Sequence, residues 1–307
     1  MRTEERPGPR HPSYATDLNN LAEVYAAIGD FVRARSLHRR ALRIRRGALG
    51  EDHPQSASSL VNLKNLDYAQ GRYARADRCY RRALAALESS LGDRHPQLTT
   101  VLGNLAAACH ELGRDEEAEG YYLRAEGILE GTLGGGHPLH GTVQNNLAML
   151  LRRVGRLDEA EPRLRRALAN WESTLGPEHP DVSAALFNLV ELCVARARVC
   201  EVLELARRAI AIDDRMIAQV SSLASDRQRL AYLDAVRSNT DLVLSLVVAH
   251  MRDSPEAVRL AFELVLRRKG LGAEAFGGQR EAVLGGRHPE LVEPLREPVS
   301  SGSSELP

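Results

Sequence analysis

The 307-residue chain carries 41 basic and 41 acidic side chains, so its formal charge is zero, and only 4% of it is aromatic. Ala, Leu and Arg dominate, which suits close-packed helices and leaves little for a β-sandwich. The longest apolar stretch, 242–249, is interrupted by Ser245 and is too short to span a bilayer, and residues 1–10 lack the apolar core of a signal peptide, so a soluble, cytoplasmic protein is expected.

From residue 11 onward the chain repeats. His-Pro recurs at His11-Pro12, His53-Pro54, His95-Pro96, His137-Pro138 and His179-Pro180, a spacing of 42 residues without insertion or deletion. A fixed period of that length makes each unit one supersecondary element stacked on copies of itself. Each unit predicts two helices. Proline costs no hydrogen bond in the first turn of a helix, so the first helix opens at His-Pro. It carries the Asn-Leu columns that begin at Asn20-Leu21. Gly29, Gly71, Gly113 and Gly155 supply a left-handed residue to end it. The second helix follows within a few residues, with Asp115 and Asp158 as expected caps in the third and fourth units. Its columns at Ala34, Ala76, Ala118, Ala160 and at Ala41, Ala83, Ala125, Ala167, Ala209 let the paired helices approach closely. Leu-Gly then turns the chain into the next unit.

The units differ in quality. The third holds Gly103, Gly120, Gly127 and Gly131 inside helices, each costing about 1 kcal/mol relative to Ala, and its connector is Gly134-Gly135-Gly136, so flexing is expected there. The fifth has Ala197 where Gly belongs and Val202 where Ala belongs, as a terminal repeat would. The array opens on His11-Pro12 without a polar capping helix, which suggests a truncated array or end-to-end self-association. Beyond about residue 212 the period stops, although helical patterning continues through Ala224, over 226–251 and over 255–276.

Asn146-Leu147-Ala148, Gly155 to Pro162, Ala167-Leu168 and the closing Leu175-Gly176-Pro177-Glu178-His179-Pro180 together resemble the tetratricopeptide repeat in the 42-residue form of kinesin light chains. That resemblance implies an all-α, right-handed superhelical solenoid of antiparallel helix pairs, with a helical C-terminal extension. The expected organisation is a flexible N-terminus at 1–10, five repeats over 11–212, an extension over 213–297 and a disordered tail at 298–307.

The extension has a resemblance of its own. Leu223-Ala224-Ser225-Asp226-Arg227-Gln228-Arg229-Leu230-Ala231-Tyr232-Leu233, with Ala261-Phe262-Glu263 and Arg267-Arg268-Lys269-Gly270-Leu271, is similar to the spacer that precedes a caspase-like (CHAT) protease domain; Leu284-Gly285-Gly286-Arg287-His288-Pro289-Glu290 resembles its closing part. On that resemblance the chain is expected to be the recognition arm of such a protein, a fragment or a degenerate paralogue without the protease half.

The candidate binding residues come from the repeat columns. Asn20, Asn62, Asn104, Asn146 and Asn188 face one side five times, and a side-chain amide offers donor and acceptor alike to an extended backbone. In tetratricopeptide proteins the matching Asn lines the concave groove and bonds the ligand main chain. The competing reading has these amides tying neighbouring helices or connectors together. One turn further on stand Asn65, Tyr68, His110, Arg152 and Arg153, able to read side chains or a carboxylate, or else merely exposed positions that vary freely.

Neither a catalytic site nor a cofactor or metal is expected. Successive His-Pro imidazoles lie a whole repeat apart, too far to share an ion, and a role in capping the first helix fits them better. Cys79, Cys109, Cys193 and Cys200 have no C-x-x-C pairing and read as small buried hydrophobes. Cys109-His110 are adjacent on a helix and point apart, and the Gly-rich runs at 134–136 and 270–278 lack the Lys of a phosphate loop.

Charge is uneven: residues 1–100 hold 17 basic and 11 acidic side chains, and Arg33, Arg35, Arg39, Arg40, Arg43, Arg45 and Arg46 share one helix. A solvated outer face explains them, with an acidic partner or nucleic acid as the functional alternatives; without interleaved aromatics, nucleic acid is disfavoured. Lys occurs only as Lys64 and Lys269, an Arg skew expected of a GC-rich bacterial genome. The sequence therefore points to a non-enzymatic scaffold that holds a peptide or helical segment of a partner protein. The alternative is the regulatory arm of a caspase-like protease.

Overall fold

The computed structural model describes residues 11–282 apart from 28, 135, 197, 224 and 225. The flexible N-terminus, the spacer motif at 284–290 and the C-terminal tail expected above lie outside the described residues. Among those described there are twelve helices and no strand, and the protein is an all-α repeat fold. Four helix pairs come first: α1 (Pro12–Ala27) with α2 (Phe31–Leu49), α3 (Pro54–Ala69) with α4 (Tyr73–Leu91), α5 (Leu98–Glu111) with α6 (Asp115–Thr132), and α7 (Pro138–Arg153) with α8 (Leu157–Thr174). Then follow α9 (Pro180–Ala195), α10 (Val199–Leu223), α11 (Asp226–His250) and α12 (Pro255–Ala282).

The chain forms two compact units, Met1–Ala197 and Arg198–Pro307. In the first, each helix packs against its neighbours in sequence, and the first helices of successive repeats also touch, α1 with α3, α3 with α5, α5 with α7 and α7 with α9. In the second, α11 packs on both α10 and α12, burying Ile210, Val243, Leu246 and Leu264.

The repeat columns explain this packing. Every Ala of the two columns from Ala34 to Ala160 and from Ala41 to Ala209 is at most 1% exposed, so second helices meet first helices across the smallest side chain available. Leu63, Leu105, Leu147 and Leu189 are buried, whereas Leu21 is 45% exposed. The difference is positional, since no described repeat precedes α1 to cover it. Val24 is exposed for the same reason, while its equivalents Leu66, Ala108, Leu150 and Leu192 are buried.

All five His-Pro histidines act as connectors. Nδ1 of His11, His53, His95, His137 and His179 accepts the backbone N–H two residues on, each at 3.2 Å. This occupies one donor that a helix start leaves orphaned. Four first helices begin at the Pro, but α5 begins two residues late, at Leu98. There the first turn is tightened: the N–H of Leu98 bonds His95 O at 3.0 Å, and Thr99 turns both its N–H and its hydroxyl onto Pro96 O. Gly29, Gly71, Gly113 and Gly155 close the first helices at φ between 71° and 80°, in the left-handed region that an L side chain avoids.

The expected acidic caps are overturned. Asp115 and Asp158 lie inside the first turns of α6 and α8, where the helix dipole favours them, and Arg114 and Arg156 occupy the cap positions without a side-chain cap bond. Asp30 alone among the second helices of the four pairs caps by side chain, accepting from the N–H of Arg33 at 3.0 Å. The four glycines expected to loosen the third repeat sit in the unbroken helices α5 and α6, with open space where a Cβ would stand.

Candidate functional site

The contacts between successive first helices carry the asparagine columns from one repeat to the next. Asn62, Asn104, Asn146 and Asn188 are half-buried and Asn20 is exposed. Thr16, Ser58, Thr100 and Thr142 stand one turn before them and escaped the sequence reading, although the same 42-residue spacing marks them.

The amides are joined in two places. Asn104 Nδ2 donates to Asn65 Oδ1 at 3.2 Å, and the Tyr80 hydroxyl donates to the same oxygen at 2.8 Å. Asn188 Nδ2 donates to Asn145 Oδ1 at 2.7 Å, and Asn145 Nδ2 donates to Asn146 Oδ1 at 3.3 Å. The tying reading is thus seen at two junctions, where these amides link neighbouring repeats through side chains while each retains free hydrogen-bonding capacity. Asn65 Oδ1 takes two donors and Asn146 Oδ1 one, leaving Nδ2 of each; Asn104 and Asn188 each use one N–H of Nδ2 and keep the second N–H and Oδ1. Asn20 and Asn62 make no side-chain hydrogen bond among the described residues. Asn145 was not foreseen, since only the partner one repeat away gives it a role.

The second group is more heavily committed. Tyr68 meets Tyr73 edge to face at 5.1 Å, and burial, with the nearby Glu111 charge, pushes its hydroxyl up to about 12. His110 is clamped: Arg153 Nη1 donates to Nε2 at 3.3 Å, so Nδ1 carries the proton and donates to Asp115 Oδ1 at 3.2 Å. Arg153 also reaches that carboxylate at 3.4 Å. Arg152 is paired with Glu191 of the next repeat. Asn65 is therefore brought together with Asn104, and His110 with Arg153, while Arg152 turns to a carboxylate of its own chain.

Burial raises the Cys109 thiol to about 12, reinforced by Glu117 and Asp77, the reverse of what a thiolate nucleophile needs. Among the described residues no group of His, Cys, Asp and Glu could hold a metal ion, and no helix is long and apolar enough to cross a membrane.

Ion pairs fasten each repeat to the next, and their polarity changes along the array. Asp77 meets Arg114 at 2.8 Å, Glu119 meets Arg156 at 2.6 Å and Glu161 meets Arg196 at 3.1 Å, each an acid on a second helix held by an arginine that follows the next first helix. At the first junction the signs are reversed. Arg35, at the Asp77 position, reaches the fully buried Asp67 at 3.1 Å, where Lys64 and Arg72 join it. Asp67 is fully desolvated, yet these three cations hold its carboxyl down at about 2.

The tetratricopeptide repeat model matches residues 2–47, 16–89, 55–131 and 139–215, most of the chain. The chain belongs to the tetratricopeptide repeat family. Among solved structures, the tetratricopeptide-like repeats of a putative kinesin light chain from Podosopora anserina are 26% identical, with a TM-score of 0.53 over 70% of this chain and 99% of that one. BtubC (BKLC) from P. vanneervenii shares the fold at 19% identity and TM-score 0.54, over 89% of this chain and 94% of that one. A Rap protein complexed with Competence and Sporulation Factor shares it at 16% identity and TM-score 0.57, over 85% and 66%. No curated protein matches the chain. Its repeats thus resemble those of kinesin-light-chain-like tetratricopeptide proteins.

Proposed function

We propose that this tetratricopeptide protein is a scaffold that holds an extended protein segment along its first-helix face. The observation that carries the reading is the row of amides with hydrogen-bonding capacity to spare. Asn65 and Asn146 keep Nδ2, Asn104 and Asn188 keep Oδ1 and one N–H, and Asn20 and Asn62 make no side-chain hydrogen bond among the described residues. An extended backbone offers complementary N–H and C=O groups in turn. Each such bond contributes about 0.5–1.5 kcal/mol net, so affinity accumulates over repeats. Thr100 and Thr142, both exposed, extend the polar lining by one turn. The Rap protein, solved with a bound factor, is a scaffold of the same fold holding a ligand.

The test is selection from a random peptide library on the intact chain, followed by titration of the selected peptide against Asn62→Ala, Asn104→Ala, Asn146→Ala and their combination. Each single change should weaken binding by about threefold to tenfold, and the triple change should abolish it while the chain stays fully helical at the assay temperature, its melting temperature lowered by loss of the inter-repeat bonds of Asn104 and Asn146. Undiminished binding by the triple variant would end the proposal.

We further propose a cytoplasmic location in a bacterium with a GC-rich genome, the Arg-for-Lys skew being the support for that source. End-to-end self-association draws support from Leu21 and Val24, exposed where later repeats bury their equivalents. A second reading, the sensor arm of a caspase-like protease, rests on the spacer-like segments, of which 226–233 fall on α11 and 261–263 and 267–271 on α12. Its test is to add a caspase-like domain encoded beside this chain and ask whether substrate cleavage requires the array.

A further inference from the structure

The second helix of the first repeat carries a charged stripe of which two members, Arg39 and Arg43, meet no carboxylate among the described residues. Arg35, Arg39 and Arg43 follow at four-residue intervals, so they share one face of α2 over about 12 Å. With Val32, Arg40 and Gln70 they border an open crevice of about 530 Å³ that no carboxylate lines. Arg35 is spent on Asp67 and Gln70, and Arg40 lies over the Tyr14 ring at 5.2 Å. Arg39 and Arg43 are exposed and make no hydrogen bond or ion pair among the described residues.

The other repeats show that this is particular to the first. Arg81 and Arg165 stand at the Arg39 position of the second and fourth repeats, and each is met by a carboxylate four residues earlier, Asp77 at 3.1 Å and Glu161 at 2.6 Å. In the first repeat that earlier residue is Arg35, another cation. At the Arg43 position the later repeats have Ala85, Gly127 and Ala169. The corresponding crevice of the third repeat is lined instead by Asp115, Glu116, Glu117 and Glu119 together with Arg114 and Arg156. Like charges at four-residue spacing destabilise a helix, and here the opposing charge has to come from outside the repeat.

We propose that this face of α2 docks an acidic segment of a partner protein that carries two or more carboxylates and an adjacent apolar side chain. Val32, 82% exposed at the N-terminal end of the stripe, supplies the apolar contact. Nucleic acid fits less well, because the nearby rings of Tyr14 and Tyr25 are covered by Arg40 and by Arg33 at 5.4 Å and are not free to stack on bases. The stripe runs along the border of the buried face of α2, formed by Ala34, His38, Ala41, Leu42 and Arg45, with Arg39 and Arg43 on its exposed side, and it does not involve the asparagine columns.

The probe is a fluorescein-labelled peptide of alternating Glu and Ser with one Leu near its N-terminus, titrated into the full chain at low salt and followed by anisotropy. Reversal in Arg39→Glu/Arg43→Glu should weaken binding at least about tenfold. Arg75→Glu/Arg78→Glu, which removes the same charge from an exposed part of α4, should change it by less than about twofold, and Val32→Ser should cost about threefold. Asn62→Ala/Asn146→Ala should leave it unchanged, so failure here and failure of the asparagine face are separable. The neutral pair Arg39→Gln/Arg43→Gln gives the same readout if the reversal lowers the melting temperature. Equal loss in the α4 variant, equal binding of a peptide with Gln for Glu, tighter binding of a single-stranded oligonucleotide, or no binding at all would each overturn the proposal.

Discussion

The first and fourth repeats fill one column of the second helix in opposite ways. At this position stand Arg45, Leu87, Leu129 and Trp171, and all four are buried. Arg45 donates to Gln55 O at 3.1 Å, to Ser59 Oγ at 2.9 Å and to Thr16 Oγ1 at 2.9 Å. Asn19 completes this polar core by donating to Ser59 at 3.2 Å and bonding His38 at 2.9 Å. Trp171 instead lies flat on Gly141 and needs one bond, from Nε1 to Pro138 O at 3.2 Å. The period decides where a side chain is buried; the neighbours decide what chemistry can be buried there.

The sharpest way to break that comparison is at Gly141. A Cβ there would stand 2.5 Å from the Trp171 ring, which is 4% exposed and hemmed in. Gly141→Thr, the residue of the third repeat, should cost about 3 kcal/mol by overpacking. Adding Trp171→Leu restores the Thr99 and Leu129 combination and should recover most of it, which a double-mutant cycle on urea melts would show.

The first repeat offers the converse test. Arg45→Ala strands Thr16 and Ser59 and leaves a cavity, at about 2–4 kcal/mol. Arg45→Leu, which copies the second and third repeats, strands the same acceptors but fills the space, and should cost about 1–2 kcal/mol less than Arg45→Ala. Equal losses would mean that the polar network, and not merely filled volume, holds the junction.

Acid separates the two regions next. Burial lowers the His38 imidazole to about 4, from an ordinary value of 6.5. The unfolded chain therefore takes up the proton first, so the stability contributed is complete above about pH 6.5 and drains away as pH falls toward 4. The loss between pH 7 and pH 5 should be on the order of 2 kcal/mol. Glu23, 3.4 Å from His38 Nε2 and raised by burial, works in the opposite direction at lower pH. Glu23→Gln isolates the imidazole, and His38→Tyr, as in the next two repeats, should flatten the profile measured by melting temperature. Asp67, held at about 2, yields only below about pH 4.

The smallest effects belong to the third repeat. Gly120→Ala, Gly127→Ala and Gly131→Ala, all exposed in α6 with open space for a Cβ, should each stabilise by about 0.5–1 kcal/mol. A loss at any of them would reveal a packing role that the helix does not show.

What could be read in advance was whatever acts within one unit. Pro, Gly and the two Ala columns fix helix starts, ends and close approaches through local sterics, and they placed all but the late start of α5. Asp115 and Asp158 were misread as caps because an acid one residue either side of a helix start looks alike in sequence; the arginines at 114 and 156 settle it by pairing outward to Glu117 and Glu119. The asparagine columns were legible as columns, but the atom each amide keeps free depends on partners about 40 residues away. Arg45 counted as a surface charge until its three acceptors from two other helices came into view.

The reversed ion pair between Arg35 and Asp67 bears on how such an array can change over generations. Exact 42-residue copies invite slippage that deletes a whole unit while preserving the phase. Losing the third unit would bring Asp77 to Arg156 and leave a sound junction. Losing the second would bring Arg35 to Cys109 and Arg114, with the buried Asp67 gone and only the partly exposed Glu117, already engaged by Arg114, to answer two cations. Loss of the second unit should therefore cost more stability than loss of the third.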